Sequence, residues 1–429
     1  MSAATNFPVE WQQVSLRELH AGGVGSLDPR NFPEERFEYY SIPAYQEAAK
    51  PLVVSGRDIQ SQKLLIPHSC LLFGKLNPRV EKVWNVKSKA PLRRLASTEW
   101  MPIVPVEKLD QDFGYYLLRS EWVMPIAKGL VSGSTPSRER VEPKAFYDIS
   151  VPLPPRAEQE SIAGVLSLLD RSIHKQSELL KELANLKRAA MRELFTRGLR
   201  GEPQKDTEIG PVPESWEIAR LDSVASVRAG TSFPPALQGK NHGDLPFYKV
   251  SDMNLADNEV EMHAATNWID RTELDDLRAK PFPPETIIFP KVGGALHTNK
   301  KRLLTVESLV DNNIMGVTVL DREYCLPKYL FGWFQTINLS SIANAGPLPS
   351  INSSQLYELK VPIPSVEDQR EIVTILDAID RKIALHRQKR AVLEELFKAL
   401  LHKLMTGEIR VADLDLSAVE SHHAPHQAA

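Results

Sequence analysis

The chain has 429 residues, of which 42% are hydrophobic and 25% are charged, and its formal net charge is −3. These values predict a soluble globular protein of two to four domains and exclude a uniformly basic, non-specific nucleic-acid binder. No run of eighteen apolar residues occurs, the start lacks a signal-peptide pattern, and Cys70 and Cys325 form no metal or redox motif. We therefore expect a cytoplasmic protein without a membrane partner.

Residues 1–154 are expected to form a mixed α/β domain, because short Val-, Leu- and Phe-rich runs alternate with Gly and Pro. Between Lys75 and Arg94 the sequence carries seven cations and one acid, Glu81. Lys and Arg can neutralise phosphates, and Asn can read base edges. This run indicates a local polyanion contact, although such runs usually form a solvated face. The candidates here are Lys75, Asn77, Arg79 and Lys82.

The clearest feature is a repeat: residues 151–200 and 361–410 align without a gap at a separation of 210, with 15 of 50 positions identical. Apolar residues that step alternately by four and three predict two long coiled-coil helices, at 155–200 and 365–408. About 43 residues would make a rod of ~65 Å. The predicted packing seam consists of Ile162, Leu166, Leu169, Ile173, Leu180 and Leu183 in the first copy, and Ile372, Leu376, Ile379, Ile383, Leu393 and Phe397 in the second.

Helices of this length with a sustained seam favour a role as spacers, and the alternative is a pair of core helices within a larger domain. Lys187 stands where the seam predicts an apolar residue, which interrupts the expected packing. Residues 201–212 are polar and rich in Gly and Pro, so they are expected to form a linker. Residues 409–429 are expected to form a flexible tail.

Residues 213–364 are expected to form a second mixed domain related to the first. Pro213-Glu214-Ser215-Trp216 repeats the pattern of Pro8-Val9-Glu10-Trp11, and the sequence IIFPK (287–291) matches LLFGK (71–75). Cations again follow the matched segment, and polar loop residues accompany them, although turn formation explains each polar residue equally well by itself. The candidates in this domain are Lys249, Ser251, Asn254, Lys291, His297, Asn299, Lys300, Lys301, Arg302, Ser350 and Asn352.

Catalytic motifs are missing from the sequence. It contains no phosphate-binding loop, no HExxH, no GxSxG elbow and no dinucleotide fingerprint after a strand. His422, His423 and His426 could hold a metal, but they fall in the predicted tail. We therefore expect no catalytic residue and no metal site.

The order of these elements resembles that of DNA-specificity subunits of type I restriction–modification systems. The resemblance rests on VPLPPxxEQ (151–159), the segment from Glu208 to Trp216, FGKLNPR (73–79), FYKVSDMN (247–254), IIFPKVGG (287–294) and LPSIN (348–352). It extends over nearly the whole chain except the tail, and the ordered combination is specific although each motif is weak.

The resemblance implies an α+β, pseudo-two-fold chain in which two target-recognition domains are separated by two long antiparallel coiled-coil helices. Each domain would read one half of a split, asymmetric site in double-stranded DNA. Two adenine-methyltransferase subunits, which carry S-adenosylmethionine, would dock on it, and a translocase–nuclease subunit that uses ATP and Mg would complete the complex. The chain itself would bind no cofactor and would be non-catalytic.

Three alternatives remain at this point. The chain could be the recognition subunit of a fused restriction–methylation enzyme, which the partner genes would reveal. It could be a coiled-coil protein–protein adaptor, which predicts no DNA binding. It could also be an enzyme with an unrecognised site, which predicts turnover by the isolated chain.

Overall fold

The computed structural model describes residues 7–132, 139–344 and 346–414. The chain divides into two compact units: unit 1 is Met1–Ser177 together with Gln388–Ala429, and unit 2 is Glu178–Arg387. The predicted flexible tail lies outside the described residues from position 415 onward, as do His422, His423 and His426. Each unit is described below by itself.

Helices and strands alternate along the whole described chain, which confirms the predicted α+β class. In chain order the first elements are β1 Gln12–Ser15, β2 Gly25–Leu27, β3 Arg36–Tyr40, α1 Ile42–Ala48, β4 Leu52–Ser55, β5 Lys63–Ile66, β6 Ser69–Gly74, β7 Val83–Lys87, β8 Arg93–Ala96, β9 Trp100–Ile103, α2 Gln111–Arg119, α3 Met124–Gly129, β10 Val131–Ser132, β11 Arg140–Val141, α4 Pro143–Tyr147, β12 Ser150–Leu153 and α5 Arg156–Thr196.

The remaining elements also alternate between strands and helices and end in a second long helix. They are β13 Gln204–Thr207, β14 Gly210–Pro213, β15 Glu217–Arg220, α6 Leu221–Val224, β16 Ala225–Ala229, β17 Leu245–Tyr248, β18 Glu261–Met262, β19 Trp268–Ile269, α7 Leu274–Leu277, β20 Ile287–Pro290, β21 Arg302–Leu304, β22 Leu309–Val310, β23 Ile314–Val319, α8 Pro327–Thr336, α9 Leu339–Ile342, α10 Ser353–Tyr357, β24 Lys360–Ile363 and α11 Val366–Thr406.

Unit 1 contains a five-stranded sheet of order β2-β5-β8-β3-β4 and a three-stranded sheet of order β7-β6-β9. Strand β6 is buried, and its side chains alternate between two cores, as the period of two in a strand requires. Leu71 and Phe73 join the core that contains the long helices, whereas Cys70 and Leu72 face the other core. Strand β1 pairs antiparallel with β12, which ties the start of the chain to the strand before α5.

Unit 2 contains a five-stranded sheet of order β16-β23-β20-β21-β18 and a three-stranded sheet of order β19-β17-β22. Strand β20 is the counterpart of β6: Ile287 and Phe289 join the core with the long helices, and Ile288 joins another. Strand β15 pairs antiparallel with β24, as β1 does with β12. The sequence match between the segments around β6 and β20 therefore reflects equivalent strands.

Helices α5 and α11 have 41 residues each, which corresponds to about 61 Å of helix. Each helix begins in one unit and ends in the other. In unit 1 the first part of α5 shares a core with the last part of α11, through Leu166 and Leu169 on one helix and Phe397 on the other. In unit 2 the end of α5 shares a core with the start of α11, through Phe195 and Ile372 among others. Each half-helix is thus both connector and core element.

The predicted seam positions lie on the inner faces of these helices. Those that are buried are Ile162, Leu166, Leu169, Leu183, Ile372, Leu376, Ile383 and Phe397, and those that are half-buried are Ile173, Leu180, Ile379 and Leu393. At the interrupting position, the Lys187 ammonium donates to both carboxylate oxygens of Asp380, at 2.6 and 2.8 Å. A charge-assisted pair therefore occupies this layer of unit 2 in place of an apolar contact.

Residues 201–212, expected to be a linker, contain a β-hairpin. Strands β13 and β14 pair antiparallel, with Gln204 opposite Pro213. The turn is closed by the Thr207 hydroxyl, which donates to the Gly210 carbonyl at 2.6 Å, and Gly210 has a φ of 99° that favours glycine. The Gly and Pro content of this segment indicated a break between domains, but the alternation was too weak to indicate strands.

Two glutamines 210 positions apart fasten the long helices to their units through the same hydrogen bonds. The backbone N–H of Asp110 donates to Gln159 Oε1, and that of Leu326 donates to Gln369 Oε1, both at 2.8 Å. Each Nε2 donates to two carbonyls, those of Lys108 and Pro154 in unit 1 and those of Tyr324 and Pro364 in unit 2. Because both glutamines are buried, these contacts fix the entry of each helix.

The two helix ends also close their units in the same way. Gly198 and Gly407 have φ values of 68° and 73°, which a glycine adopts at little cost. A Cβ at Gly407 would lie 2.3 Å from Cδ of Pro8, and a Cβ at Gly198 would lie 3.0 Å from Cγ of Pro213. The repeated Pro-x-x-Trp segments therefore pack on the ends of α11 and α5, and the glycines allow this close approach.

Candidate nucleic-acid interface

In unit 2, the first group of candidate residues lies on a tight turn after β17. A 3₁₀ turn covers Val250–Asn254, and Asp252 within this turn is buried. One Asp252 carboxylate oxygen accepts the Lys249 backbone N–H and the other accepts the Thr266 hydroxyl, both at 2.7 Å. Ser251 and Asn254 are exposed on this pinned turn. The sequence singled out Lys249, Ser251 and Asn254, and Asp252, which lies between the last two, anchors the turn that carries them.

Lys249 itself is held inside unit 2. Its ammonium donates to Gln238 Oε1 at 2.5 Å and lies 5.5 Å from the centre of the Phe233 ring. Gln238 was not among the sequence candidates. The sequence gives little indication of Gln238, because only the fold brings this residue next to Lys249.

The second group lies on residues 291–300, which we call the second candidate loop. Its start is fixed by an isolated β-bridge between Val292 and Ser350. The Lys291 carbonyl accepts the Ile351 N–H, and the Gly293 N–H donates to the Pro349 carbonyl, both at 2.8 Å. The structure thus brings two segments that the sequence predicted separately, at 291 and at 350, into direct contact.

Three side chains of the second candidate loop make identifiable contacts. His297 Nδ1 lies 3.0 Å from the Ser340 hydroxyl, and the Lys300 ammonium is hydrogen-bonded to Asn254 Oδ1. Asn299, at a φ of 53°, accepts the Leu339 N–H on Oδ1 at 2.9 Å. Because Asn254 belongs to the turn after β17, the Lys300 contact joins the two groups of candidates into one surface.

Two further candidates are corrected by the structure. Lys301 is only 1% exposed, and its ammonium donates to Asn299 Oδ1 at 3.0 Å and to the Ile337 carbonyl at 2.7 Å. Burial lowers the pKa of Lys301 to about 8. Arg302 donates to the backbone carbonyls of Met253 and Asn258, and burial lowers its pKa as well. Lys301 therefore faces the protein interior, and the guanidinium of the half-buried Arg302 is engaged by backbone carbonyls.

In unit 1 the equivalent loop covers residues 75–81, which we call the first candidate loop. Its backbone bonds repeat those of unit 2: the Lys75 carbonyl accepts the Val141 N–H at 2.9 Å, and the Asn77 N–H donates to the Glu139 carbonyl at 2.8 Å. Leu76 forms an isolated bridge with Arg140. Asn77 has a φ of 48°, at the place where unit 2 has Gly293. The matched Phe-x-Lys segments thus enter the same backbone arrangement.

The side chains of the first candidate loop differ in their access to solvent. Arg79 is exposed and pairs with Glu139 at 3.4 Å, and Lys75 is half-buried. Lys82, which follows the loop, is 4% exposed and donates to the carbonyls of Asn77 and Val80, at 2.8 and 2.7 Å. Burial lowers its pKa. Lys82 is therefore corrected in the same sense as Lys301.

The basic run from Lys75 to Arg94 does not form a continuous cationic face. Lys87 pairs with Asp112 at 2.6 Å, and Arg93 forms an ion pair with Glu35. These residues lie on β7 and β8, which belong to different sheets. The acids that pair with the run come from other parts of the sequence, and for this reason the local count of charges overestimated the basic surface.

Ser350 and Asn352 contribute mainly to the local backbone. Asn352 is the N-cap of α10, and its Oδ1 accepts the Gln355 N–H at 2.9 Å. This is the turn-forming alternative considered for the polar loop residues, and here it describes the contact that Asn352 makes.

Residues 7–132, 139–344 and 346–414 contain no group of three or more His, Cys, Asp or Glu that could hold a metal ion. In the same ranges, no helix has the length and apolar character needed to span a membrane.

Comparison with known sequences shows which proteins this chain is similar to. The type I restriction modification DNA specificity domain matches residues 213–395. The specificity subunit of the type I restriction enzyme MjaVIII from Methanocaldococcus jannaschii is 25% identical over 284 residues. That match covers 64% of this chain and 65% of the relative, slightly less than two thirds of its length. The EcoDI specificity subunit of Escherichia coli is 23% identical over 445 residues, which cover 95% of this chain and 90% of the relative.

Solved structures agree in fold. A chain from a study of complex assembly and conformational transition of the type I R-M system has a TM-score of 0.59 and 19% identity, and covers 94% of this chain and 100% of its own length. The type I S subunit from M. genitalium has a TM-score of 0.56 and 15% identity, with 94% and 98% covered. These likenesses support the fold. Together with the sequence matches they confirm the resemblance seen in the sequence: the chain is similar to the specificity subunits of type I restriction–modification systems over most of its length.

Proposed function

We propose that the chain reads a split, asymmetric site in double-stranded DNA, with unit 1 and unit 2 each reading one half. One observation carries this proposal: the frame of the two units is built from the same contacts, whereas the loops mounted on that frame differ. The Gln159 and Gln369 hydrogen bonds and the backbone bonds of Lys75 and Lys291 recur. Two different readers on one repeated frame suit a site whose halves differ in sequence.

The exposed side chains on the candidate loops have the chemistry that such reading needs. In unit 2, Ser251, Asn254 and His297 are exposed around Lys300, and hydroxyl, amide and imidazole groups can form hydrogen bonds with base edges. In unit 1, Arg79 on the first candidate loop and Lys89, which follows β7, are exposed and can contact phosphates or guanine. A site of this kind needs local cations rather than a basic protein, in agreement with the net charge of −3.

The chain acts, in this proposal, as a non-catalytic adaptor for two adenine-methyltransferase subunits that bring S-adenosylmethionine, and for a translocase–nuclease that uses ATP and Mg. A repeated exposed leucine supports a partner that binds twice. Leu186 on α5 is 53% exposed and Leu396 on α11 is 41% exposed, and the two stand 210 positions apart in the repeat. Exposed apolar side chains at equivalent positions suit two copies of one partner.

The reading function is tested by mapping methylated adenines in the genome of the source organism, with and without this gene. We expect deletion to abolish methylation at one split motif and to leave other methylation unchanged. If the gene is deleted from a strain that expresses it and the methylation pattern stays the same, the proposal is overturned.

The docking surface is tested by a variant that carries both Leu186→Asp and Leu396→Asp. We expect methylation of the split motif to fall at least tenfold, because charges would replace apolar contacts in both copies of the interface. The matched control carries Arg188→Asp and Lys398→Asp, which are also exposed and equivalent in the repeat but lie about 200° further around each helix. Equal methylation in the two double variants would remove these leucines from the interface.

A further inference from the structure

Lys82 and Lys301 are unusual among the cations of the candidate regions because they are buried and, within the part of the chain that the structure describes, form no ion pair with a carboxylate. The hydrogen bonds that each donates to described residues go to neutral oxygen atoms. Burying an ammonium group in this way opposes folding, because the charge loses its hydration and gains no opposite charge. Such a cation needs a role that an apolar side chain of the same length could not fill.

The oxygen atoms that accept these bonds belong to the candidate loops. Lys82 holds the carbonyls of Asn77 and Val80, which lie at the middle and near the end of the first candidate loop. Its fit is close, since a Cβ on Gly74 would lie 2.8 Å from Cβ of Lys82. The loop therefore folds back over the lysine that follows it.

In unit 2 the lysine connects the loop to a helix end. Lys301 binds Asn299 Oδ1 on the second candidate loop and the carbonyl of Ile337, the C-cap residue of α8. The C-terminus of a helix carries a partial negative charge that favours a nearby cation. Asn299 Oδ1 also accepts the Leu339 N–H at the start of α9, so the left-handed asparagine, the lysine and two helix ends form one connected group.

We propose that Lys82 and Lys301 are positioning residues, each of which sets the conformation of one candidate loop without touching DNA. The two lysines directly follow loops of different length and use different acceptors, yet each fixes an asparagine with a positive φ, Asn77 or Asn299. This inference rests on the proposed reading function for its consequence, namely that each lysine governs the specificity of one half-site. The structural part, the restraint of the loop, stands apart from that function.

The test uses the full chain with Lys82→Met or Lys301→Met, because methionine keeps much of the length and removes the ammonium. Amide hydrogen exchange is measured first. Lys301→Met is expected to speed exchange at least tenfold across residues 291–300 and to leave strands β17 and β20 protected. Lys82→Met is expected to do the same for residues 75–81 only. Unchanged exchange in the loop, or loss of protection throughout the unit, would overturn the positioning role.

The second readout is the methylated motif in strains that carry these variants. Each variant is expected to lower discrimination at one half-site at least tenfold, and the two variants should affect opposite halves. Equal effects on both halves, or no effect while the loop exchanges faster, would overturn the link to specificity. If the wild-type gene governs no split motif, the proposed function fails, and the exchange measurement still decides whether the lysines restrain the loops.

Asn299→Gly serves as a second variant in unit 2, since glycine keeps the positive φ and removes the shared oxygen. It should reproduce the exchange and half-site effects of Lys301→Met while leaving the ammonium in place. A wild-type exchange pattern in Asn299→Gly would show that the lysine does not act through this asparagine and would overturn the proposed connection.

Discussion

The two units match where they meet the long helices and diverge where their loops are exposed. Strands β6 and β20 occupy equivalent places, but eight residues separate β6 from β7, whereas eleven separate β20 from β21 and include a 3₁₀ turn at Gly294–Thr298. The contacts of Gln159 and Gln369, by contrast, are the same within 0.2 Å. Constraint is thus concentrated at the helix junctions, and the loops are free to differ without altering the frame.

The largest expected effect comes from lengthening the shared helices without changing either unit. Inserting seven residues after Ser177 in α5 and seven after Arg387 in α11 adds ~10.5 Å to each helix and keeps the seam in phase to within ~20°. We expect methylation at the original motif to be lost and to appear at a motif with the same half-sites and a spacer longer by ~3 base pairs.

An insertion of four residues at the same two places provides the control, because it turns the seam by ~40° relative to a full turn and should abolish methylation without creating a new motif. Changed half-site sequences in the seven-residue variant would show that the units themselves were altered. That result would contradict the proposal that the long helices set the spacing while the loops of the two units read the half-sites.

The next effect tests whether the two junctions are equal in energy as well as in geometry. Gln159→Ala and Gln369→Ala each remove three buried hydrogen bonds, which should lower the free energy of unfolding by about 3 kcal/mol at ~1 kcal/mol per bond. The measurement is denaturant unfolding, with hydrogen exchange to locate the loss in unit 1 or unit 2. Gln388→Ala, at an exposed position on α11, should change stability little. If the free energies of unfolding of the two junction variants differ by more than ~2 kcal/mol, the junctions share their geometry but not their contribution to stability.

The sequence indicated this frame well because its signals are local. The period of the apolar residues identified α5 and α11, and the glutamines at their junctions, Gln159 and Gln369, belong to the repeated segments. Gly198 and Gly407 follow the two helices because glycine readily adopts the positive φ found at a helix end. Such patterns can be recognised in a single sequence because they depend on residues near one another in the chain.

The candidate surface was harder to predict, because exposure depends on residues far apart in the sequence. Lys301 looked like its neighbour Lys300, yet only Lys300 reaches the surface, and the acceptor of Lys301 is 36 positions away at Ile337. Glu35, which directly precedes β3, and Asp112, on α2, form ion pairs with cations of the basic run. Charge runs by themselves therefore did not separate surface cations from interior ones.

The pH dependence of stability offers a way to detect the interior lysine. The folded-state pKa of Lys301, about 8, lies below the unfolded value of about 10.4. Between these values the unfolded chain binds more protons, so stability rises with pH. We expect the wild type to gain about 2 kcal/mol relative to Lys301→Met between pH 7.5 and 9.5. A constant difference between the two proteins over this range would mean that Lys301 is hydrated in the folded state.

The smallest effect concerns the ion pairs that close each unit. Arg200 forms an ion pair with Asp368, and Arg410 lies 3.3 Å from Glu158; the two pairs are related by the same separation of 210. Exposed pairs contribute little and are screened by salt. Arg200→Ala and Arg410→Ala should therefore lower the melting temperature less than either glutamine variant, by similar amounts in both units, and the loss should shrink in 1 M salt.

A large loss of melting temperature confined to Arg410→Ala would contradict this equivalence and would point to the second partner of Arg410. Arg410 also pairs with Glu10 near the start of the chain. Unit 1 would then depend on this contact, in addition to the shared core around Phe397, to join its two chain segments, whereas unit 2 is one continuous segment.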